Sequence, residues 1–157
     1  MSLEYKSTEV FLLPDVRFRS TLVTKFINCL MHKGKKSVAE KVFYQAIDIL
    51  QTRFPDKEPL EIVETAINNV KPLVEVKSKR VGGATYQVPV EVSRKRQLSL
   101  GIRWILEATR NKKGKATHQK LADELSDAYK KQGVSITKRE NIHKMAEANK
   151  AFAHFAW

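Results

Sequence analysis

The chain of 157 residues is poor in the residues that build disulfides and metal sites. Cys29 is its only cysteine, so no internal disulfide can form and a reducing compartment is expected. One cysteine and four scattered histidines do not supply the ligand spacings of a zinc site, so neither a metal nor another cofactor is predicted. Cys29 stands beside Phe26, Ile27 and Leu30, a setting that predicts a buried, inert thiol.

Long apolar runs and catalytic motifs are also lacking. No apolar run approaches the roughly 20 residues that a transmembrane helix needs. The segment Gly34-Lys35-Lys36-Ser37 lacks the earlier glycine of a Walker loop. Glu75 and Glu91 resemble paired carboxylates for acid–base chemistry, but each has cations beside it, which favours charge balancing at the base of a ribbon. No catalytic residue is predicted, and the chain is not expected to be an enzyme.

Acidic residues are scarce relative to basic ones. The chain has 29 Lys and Arg against 17 Asp and Glu, which gives a formal charge of +12. From Lys77 to Lys115 there are 11 cations and two acids, Glu91 and Glu107, so this quarter of the chain carries nine of those charges. A local excess is what a binding face for a polyanion requires. Nucleic acid is the favoured partner and an anionic membrane the second.

Helical periodicity dominates the rest of the sequence and predicts six amphipathic helices. Ser37 with Glu40, and Thr137 with Glu140, have the spacing of capping boxes and predict where the second and sixth helices begin. Ser93 is the predicted N-cap of the fourth helix. Apolar residues cover a wide arc of that fourth helix, which predicts a central position in the fold.

Residues 72–92, between the third and fourth helices, predict a two-stranded antiparallel β-ribbon with Gly82-Gly83 at its tip. A two-residue loop would pair residues 81 and 84 and spread the valines over both faces. An odd loop that pairs residues 81 and 85 collects the valines on one face and is therefore favoured. It places Arg80 opposite Tyr86 near the tip, with Lys77 and Lys79 on the other face. The ribbon is expected to project as an arm, because its cationic tip is unsuited to packing on helices.

Cations also cluster where helices are predicted to begin, which disfavours the helix itself. Each cation in a first turn opposes the helix dipole by up to roughly 1 kcal/mol. A phosphate brought to such an end meets side-chain cations and free backbone N–H groups together. The cations predicted to bind on this basis are Lys35, Lys36, Arg94, Lys95, Arg96, Lys138 and Arg139, with Lys113 and Lys115 in the loop after the fourth helix. Tyr86 is the candidate for stacking on a base, whereas Trp104 is predicted to lie in the core.

Three other functions stay open on these residues alone. A DNA regulator with a basic β-ribbon would prefer duplex DNA and form a symmetric dimer, for which the sequence shows no obvious seam. An enzyme acting on nucleic acid would need a metal or acid–base constellation. A membrane-surface module would need a basic amphipathic helix with aromatic residues opposite, whereas the cations here lie at helix starts and on a ribbon.

Four separated stretches carry a specific resemblance to a known family. They are Asn69-Val70-Lys71-Pro72 through Val90, residues 138–157 (KRENIHKMAEANKAFAHFAW), Lys35-Lys36-Ser37 and Ile102-Arg103-Trp104. Together they resemble the family of small-subunit ribosomal protein seven in its bacterial and organellar form. The resemblance covers roughly residue 22 to the end of the sequence.

The resemblance implies a fold that is mainly α, a single six-helix RNA-binding domain over residues 1–157 with a protruding two-stranded antiparallel β-ribbon. Its parts would be an N-terminal tail at 1–20, the ribbon arm at 72–92 and a C-terminal helix at 136–156. It implies a non-enzymatic constituent of the small ribosomal subunit that binds the 3′ major (head) domain of ribosomal RNA and nucleates head assembly. The exit-site tRNA, the mRNA path, and head and platform ribosomal proteins would lie nearby. With no signal-peptide pattern, the chain is expected in a cytoplasmic bacterial ribosome rather than an organellar one.

The resemblance also implies RNA contacts at individual positions. They are Lys35, Lys36, Lys77, Lys79, Arg80, Arg94 and Arg96, with Lys138, Arg139 and Lys144 on a less close match, and Gly82 and Gly83 at the ribbon tip. The tail departs from the short basic start usual in the family. It reads Ser2-Leu3-Glu4-Tyr5-Lys6 and adds Glu9, so Phe11-Leu12-Leu13 predicts apolar docking instead.

Overall fold

Six α-helices and one antiparallel strand pair make up most of the computed structural model, which describes residues 8–157. The helices are α1 (Thr21–Leu30), α2 (Lys36–Arg53), α3 (Pro59–Val70), α4 (Arg94–Asn111), α5 (Thr117–Tyr129) and α6 (Val134–Ala148). The strands are β1 (Val74–Val81) and β2 (Ala84–Glu91), and short 3₁₀ helices cover Thr8–Phe11 and Lys150–Phe155. The predicted fold class, mainly α with a β-ribbon, is confirmed. Residues 2–6, where the sequence departs from the basic start usual in the family, lie outside the described residues.

The core lies among α1 to α5. α5 packs against α2, α3 and α4, and α4 also contacts α1 and α6, which gives α4 the predicted central position. Phe26 of α1 and Phe43 of α2 are fully buried, with ring centroids 5.3 Å apart. α4 also packs on α3 at Gly101, where a Cβ would lie 3.4 Å from the Ile67 carbonyl oxygen, close to ordinary van der Waals contact. Trp104 is buried, as predicted. None of the helices in residues 8–157 is long and apolar enough to cross a bilayer.

The N-cap of the sixth helix lies four residues before the predicted one, Thr137. The N-cap residue is Gly133, at φ +94°, and Thr137 instead donates its hydroxyl to the Gly133 carbonyl at 3.0 Å. The cap comes from α5. The buried carboxylate of Glu124 accepts hydrogen bonds from the Ser135 backbone N–H at 3.0 Å and from the Ser135 hydroxyl at 2.6 Å. A side chain from another helix therefore sets this start, which no local pattern reveals.

Two further local predictions are wrong. The N-cap of α2 is Lys35, so Ser37 lies inside the helix and makes no capping bond. The predicted C-terminal helix at 136–156 is two elements, since α6 ends at Ala148 and the 3₁₀ helix Lys150–Phe155 follows. Ser93 is the N-cap of α4 as predicted, although its side chain makes no capping hydrogen bond.

The ribbon has the register that the valine pattern disfavoured. Val81 pairs with Ala84 around a two-residue turn, in which Gly82 and Gly83 have φ of +57° and +86°. Lys79 therefore stands opposite Tyr86, and Arg80 lies on the other face. The prediction failed because it assumed that valines alone define the packed face. The ribbon contacts α6 and the C-terminal 3₁₀ helix, so its packed face includes a lysine and a tyrosine as well.

The N-terminal segment and Cys29 also differ from expectation. Leu12 is half-buried beside Leu22, whereas Phe11 and Leu13 are exposed, so only one residue of that triplet docks. Cys29 is exposed rather than buried. Partial shielding of its thiol from water nevertheless raises its pKa.

Candidate nucleic-acid interface

The predicted RNA-binding cations fall into two groups. Seven of them bind an acceptor group within this protein, and these are Lys77, Lys79, Lys95, Arg96, Lys115, Lys138 and Arg139. The other six are exposed and have no hydrogen bond or ion pair from the side chain within residues 8–157, and these are Lys35, Lys36, Arg80, Arg94, Lys113 and Lys144. The sequence pattern does not distinguish the two groups, and only the packing of the folded chain separates them.

Glu75 organises the cations at the ribbon base. Arg96 of α4 donates to both of its carboxylate oxygens, at 2.9 Å and 3.0 Å, and Lys77 lies 3.4 Å away. The hydrogen bonds from Arg96, followed by those from Lys77, hold the pKa of Glu75 below its ordinary value. Glu91 lies on the opposite face, across from Val74. The predicted charge balancing is therefore confirmed for Glu75, and the two carboxylates do not form an acid–base pair.

The outer half of the ribbon is covered by the C-terminal residues. The Lys79 ammonium group donates a hydrogen bond to the Phe155 carbonyl oxygen at 2.6 Å and lies 4.9 Å from the centre of the Trp157 ring. The Tyr86 ring is half-buried, 5.2 Å from Phe152 and 5.0 Å from Phe155 between centroids. The side chain predicted to stack on a base therefore already has aromatic partners within the protein.

The ribbon tip is open. Arg80 and Thr85 face each other on the uncovered side, and both are exposed. Around Gly82 and Gly83, no atom of the described chain comes within 4 Å of where a Cβ would lie. A backbone free of side chains, with one unpaired guanidinium beside it, allows close approach of a phosphate.

Two helix starts carry unpaired cations. Arg94 is the first residue of α4, and Lys36 is the first residue of α2, directly after the N-cap Lys35. Neither helix has a side-chain cap on its first N–H groups, so these donors are available to an anion. Lys95 is occupied differently, because it lies 3.2 Å from Glu9, and its hydrogen bond holds the pKa of Glu9 below the ordinary value.

The cations predicted to begin the sixth helix lie in its second turn and serve packing. Lys138 binds Glu107 at 2.6 Å and lies over the Trp104 ring. Arg139 donates to the Asn69 carbonyl near the end of α3. Lys144 is the cation of α6 that is both predicted and unpaired in the described chain.

The outer face of α4 carries an unpaired cation that lies outside the predicted RNA contacts. Arg103 is exposed on α4 and has no side-chain acceptor in the described part of the chain. Its spacing of four residues from Ser99 and eight from Lys95 places the three on one stripe of the helix. That spacing is the sequence signal for Arg103, which enters the predictions only through the family stretch Ile102-Arg103-Trp104.

Acidic and metal-ligating groups are dispersed. Among residues 8–157, no three His, Cys, Asp or Glu side chains come together in a way that would hold a metal ion. Asp123 binds two cations, Arg53 at 2.6 Å and Lys115 at 2.9 Å. Burial alone would raise the pKa of Asp123, but the hydrogen bonds from Lys115 and Arg53 hold it below its ordinary value.

Comparison with known proteins agrees with the predicted resemblance. Residues 2–150 match the family described as ribosomal protein S7p/S5e. The small ribosomal subunit protein uS7 of Rhodopirellula baltica is 57% identical over 147 residues, which cover 93% of this chain and 94% of that protein. The uS7 protein of Pelagibacter ubique is 51% identical over 157 residues, with complete coverage of both chains. The chain therefore belongs to the ribosomal protein S7p/S5e family, whose members are structural, non-enzymatic, RNA-binding constituents of the small ribosomal subunit in translation.

Proposed function

We propose that this protein binds the 3′ major domain of small-subunit ribosomal RNA and nucleates assembly of the subunit head there. Family membership makes ribosomal RNA and other ribosomal proteins its partners, and the proposal names the RNA domain and the role in assembly. The bacterial origin of the related uS7 proteins supports a cytoplasmic bacterial ribosome as its location.

The unpaired cations are the observation that carries this proposal. Arg80 at the ribbon tip, Arg94 at the start of α4, and Lys35 and Lys36 at the start of α2 have no acceptor within residues 8–157. Phosphate oxygens supply such acceptors, and the release of counterions on binding drives association. Lys113 and Lys144 belong to the same group. Few of these side chains suit reading base edges, so the shape of a folded RNA would supply specificity.

The paired cations have a second role in the proposal. Arg96 uses its Nε and one terminal nitrogen on Glu75, and its side chain remains about half exposed. A guanidinium has five N–H donors, so Arg96 can hold Glu75 and a phosphate together. Lys77 has the same carboxylate as its partner. These residues would set the angle of the ribbon base while the unpaired cations make the outer contacts.

A salt titration of binding to the isolated 3′ major domain RNA tests the proposal. The variant Arg80→Ala/Arg94→Ala removes two unpaired cations, so the slope of log K against log salt is expected to fall by about 1.5, at roughly 0.7–0.9 per phosphate lost. Lys57→Ala/Lys131→Ala is the matched control, because both lysines are exposed, lack side-chain partners in the described chain, and lie away from the ribbon and the two helix starts. Its slope is expected to match that of the wild type.

Two results would count against the proposal. Equal affinity for duplex DNA in competition would favour a DNA regulator instead. An unchanged slope in the Arg80/Arg94 variant would remove the ribbon tip and the start of α4 from the contact surface. Lys35→Ala/Lys36→Ala would then be the next variant to titrate.

We further propose that the ribbon tip lies beside the exit-site tRNA and the mRNA path. The open backbone at Gly82 and Gly83 supports this, since it allows a nucleic acid to approach closely. A photoactivatable cross-linker on Ala84→Cys, in a Cys29→Ser background, is expected to label tRNA or mRNA in reconstituted small subunits. The same cross-linker on Lys57→Cys serves as the control. Labelling of ribosomal RNA alone from position 84 would contradict the placement.

A further inference from the structure

A cleft of about 570 Å³ lies between the end of α1 and the outer face of α4. Cys29 lies exposed on its wall, and Leu106, which is buried, forms part of its floor. Arg103, Arg110 and Asn111 stand among its polar residues. Its volume lies within the roughly 300–1,000 Å³ typical of small-molecule pockets.

The cleft carries positive charge, and some of the guanidinium donors there have no acceptor in the described chain. Arg103 has no acceptor in the described chain. Arg110 donates from one terminal nitrogen to the carbonyls of Cys29 and Leu30, at 3.5 Å and 3.4 Å, which are long hydrogen bonds that leave its other donors available. The carboxylate of Glu107 on the rim is held by Lys138 at 2.6 Å, which offsets its repulsion of an anion.

An apolar surface beside guanidinium groups with available donors matches one kind of RNA element. Paired RNA presents phosphates and ribose hydroxyls on its outer surface, and its bases stay stacked inside, so it would leave the apolar wall hydrated. An unpaired nucleotide offers a flat base for the wall and a phosphate for the guanidinium. The amide of Asn111 can both donate to and accept from a base edge.

We propose that this cleft binds one unpaired nucleotide of the ribosomal RNA, with its base against Leu106 and Cys29 and its phosphate on Arg103. The inference rests on the proposed RNA binding and adds a subsite to it. It makes the cleft a place where the protein recognises a bulged or looped-out nucleotide, in contrast to the outer cations, which follow the backbone.

Cys29 permits a direct test because it is exposed and is the only thiol in the chain. Its alkylation by iodoacetamide at fixed pH would be timed in the free protein, with the 3′ major domain RNA bound, and with adenosine monophosphate alone. The RNA is expected to slow alkylation about tenfold or more because the bound base covers the thiol. Adenosine monophosphate at equal concentration is expected to leave the rate unchanged.

A filling variant gives an independent readout. Ser99 lines the cleft and its hydroxyl bonds to the Lys95 carbonyl, so Ser99→Trp removes a hydrogen bond within α4 and places an indole in the cleft. RNA affinity is expected to fall about tenfold with an unchanged salt slope, because no phosphate contact is removed. Arg103→Ala is expected instead to lower the slope by roughly 0.7–0.9. Gln51→Trp, exposed on α2 and outside the cleft, controls for the added indole and should bind as the wild type does.

The outcomes separate this inference from the proposed function. Tight RNA binding with Cys29 alkylated at its free rate would overturn the subsite and leave the proposed function intact. Equal protection by adenosine monophosphate would make the cleft a site for free nucleotides, and slow alkylation without RNA and no further slowing with it would mean that the protein covers the cleft. Each of these overturns the proposal, whereas failure to bind the RNA at all would overturn the proposed function as well.

Discussion

At the scale of single residues, Glu75 controls which cations at the ribbon base have free donors. It holds Arg96 through two carboxylate oxygens and also binds Lys77. Both cations were predicted RNA contacts. No local pattern reveals that the carboxylate of Glu75 binds them within the protein. The same carboxylate links β1 to the first turn of α4, so it affects both stability and charge.

Replacing this carboxylate by an amide, Glu75→Gln, should lower the free energy of unfolding by about 1 kcal/mol at pH 7, since charge-assisted hydrogen bonds to a half-exposed arginine are lost. The pKa of Glu75 is lowered on folding, so its contribution is present above the ordinary value of 4.5 and is lost as the pH falls through the folded value. The difference between wild type and variant should therefore shrink below about pH 4.5. Urea denaturation at pH 7, 5, 4 and 3 measures it.

Glu91→Gln is the control for this experiment, because Glu91 is exposed on the other face of the ribbon and has no ion pair within the described residues. It should differ little from the wild type at any pH. A loss in Glu75→Gln that stays constant from pH 7 to pH 3 would show that the ion pair is not its cause.

At the scale of elements, the ribbon is held by the C-terminal 3₁₀ helix. Tyr86 packs on Phe152 and Phe155, and Lys79 binds the Phe155 carbonyl. A two-stranded ribbon is marginal in water by itself, so this aromatic contact fixes its position. The projecting arm expected from the sequence therefore has one covered face and an open tip.

Truncating one ring of this contact, Phe155→Ala, should loosen the ribbon and leave the helical core intact. Loss of a half-buried aromatic pair is expected to lower stability by about 1–2 kcal/mol. Hydrogen exchange at the amides of β1 and β2 should become faster, while exchange in α3 and α5 stays as in the wild type. Phe11→Ala is the control, because that ring is 80% exposed. Unchanged exchange in the ribbon, or faster exchange everywhere, would be inconsistent with a local contact.

At the scale of the whole molecule, ion pairing redistributes a charge that the sequence counts only in total. Glu75, Glu9, Glu107 and Asp123 each bind cations that had been predicted to face RNA. The predicted cations that remain unpaired in the described chain lie at the ribbon tip, at two helix starts, and at Lys113 and Lys144, and Arg103 beside the cleft is also unpaired. These positions form the proposed RNA surface.

The sequence by itself determined the fold class, the six helices, the local charge excess and the family. Each of these depends on periodicity, composition or motifs, which are properties of short stretches of chain. The predicted N-cap of α4 at Ser93 and the buried position of Trp104 followed from the same kind of local pattern.

Only the tertiary structure decided the ribbon register, the start of α6 and the division of the cations into paired and unpaired. Each depends on a partner from another element. Glu124 of α5 caps α6 through Ser135, and Phe155 binds Lys79 from 76 positions away. A one-residue slip in strand pairing moves every side chain of the ribbon to the other face, and a single carboxylate can bind a cation that would otherwise be unpaired. Such features therefore follow from packing and not from a local pattern.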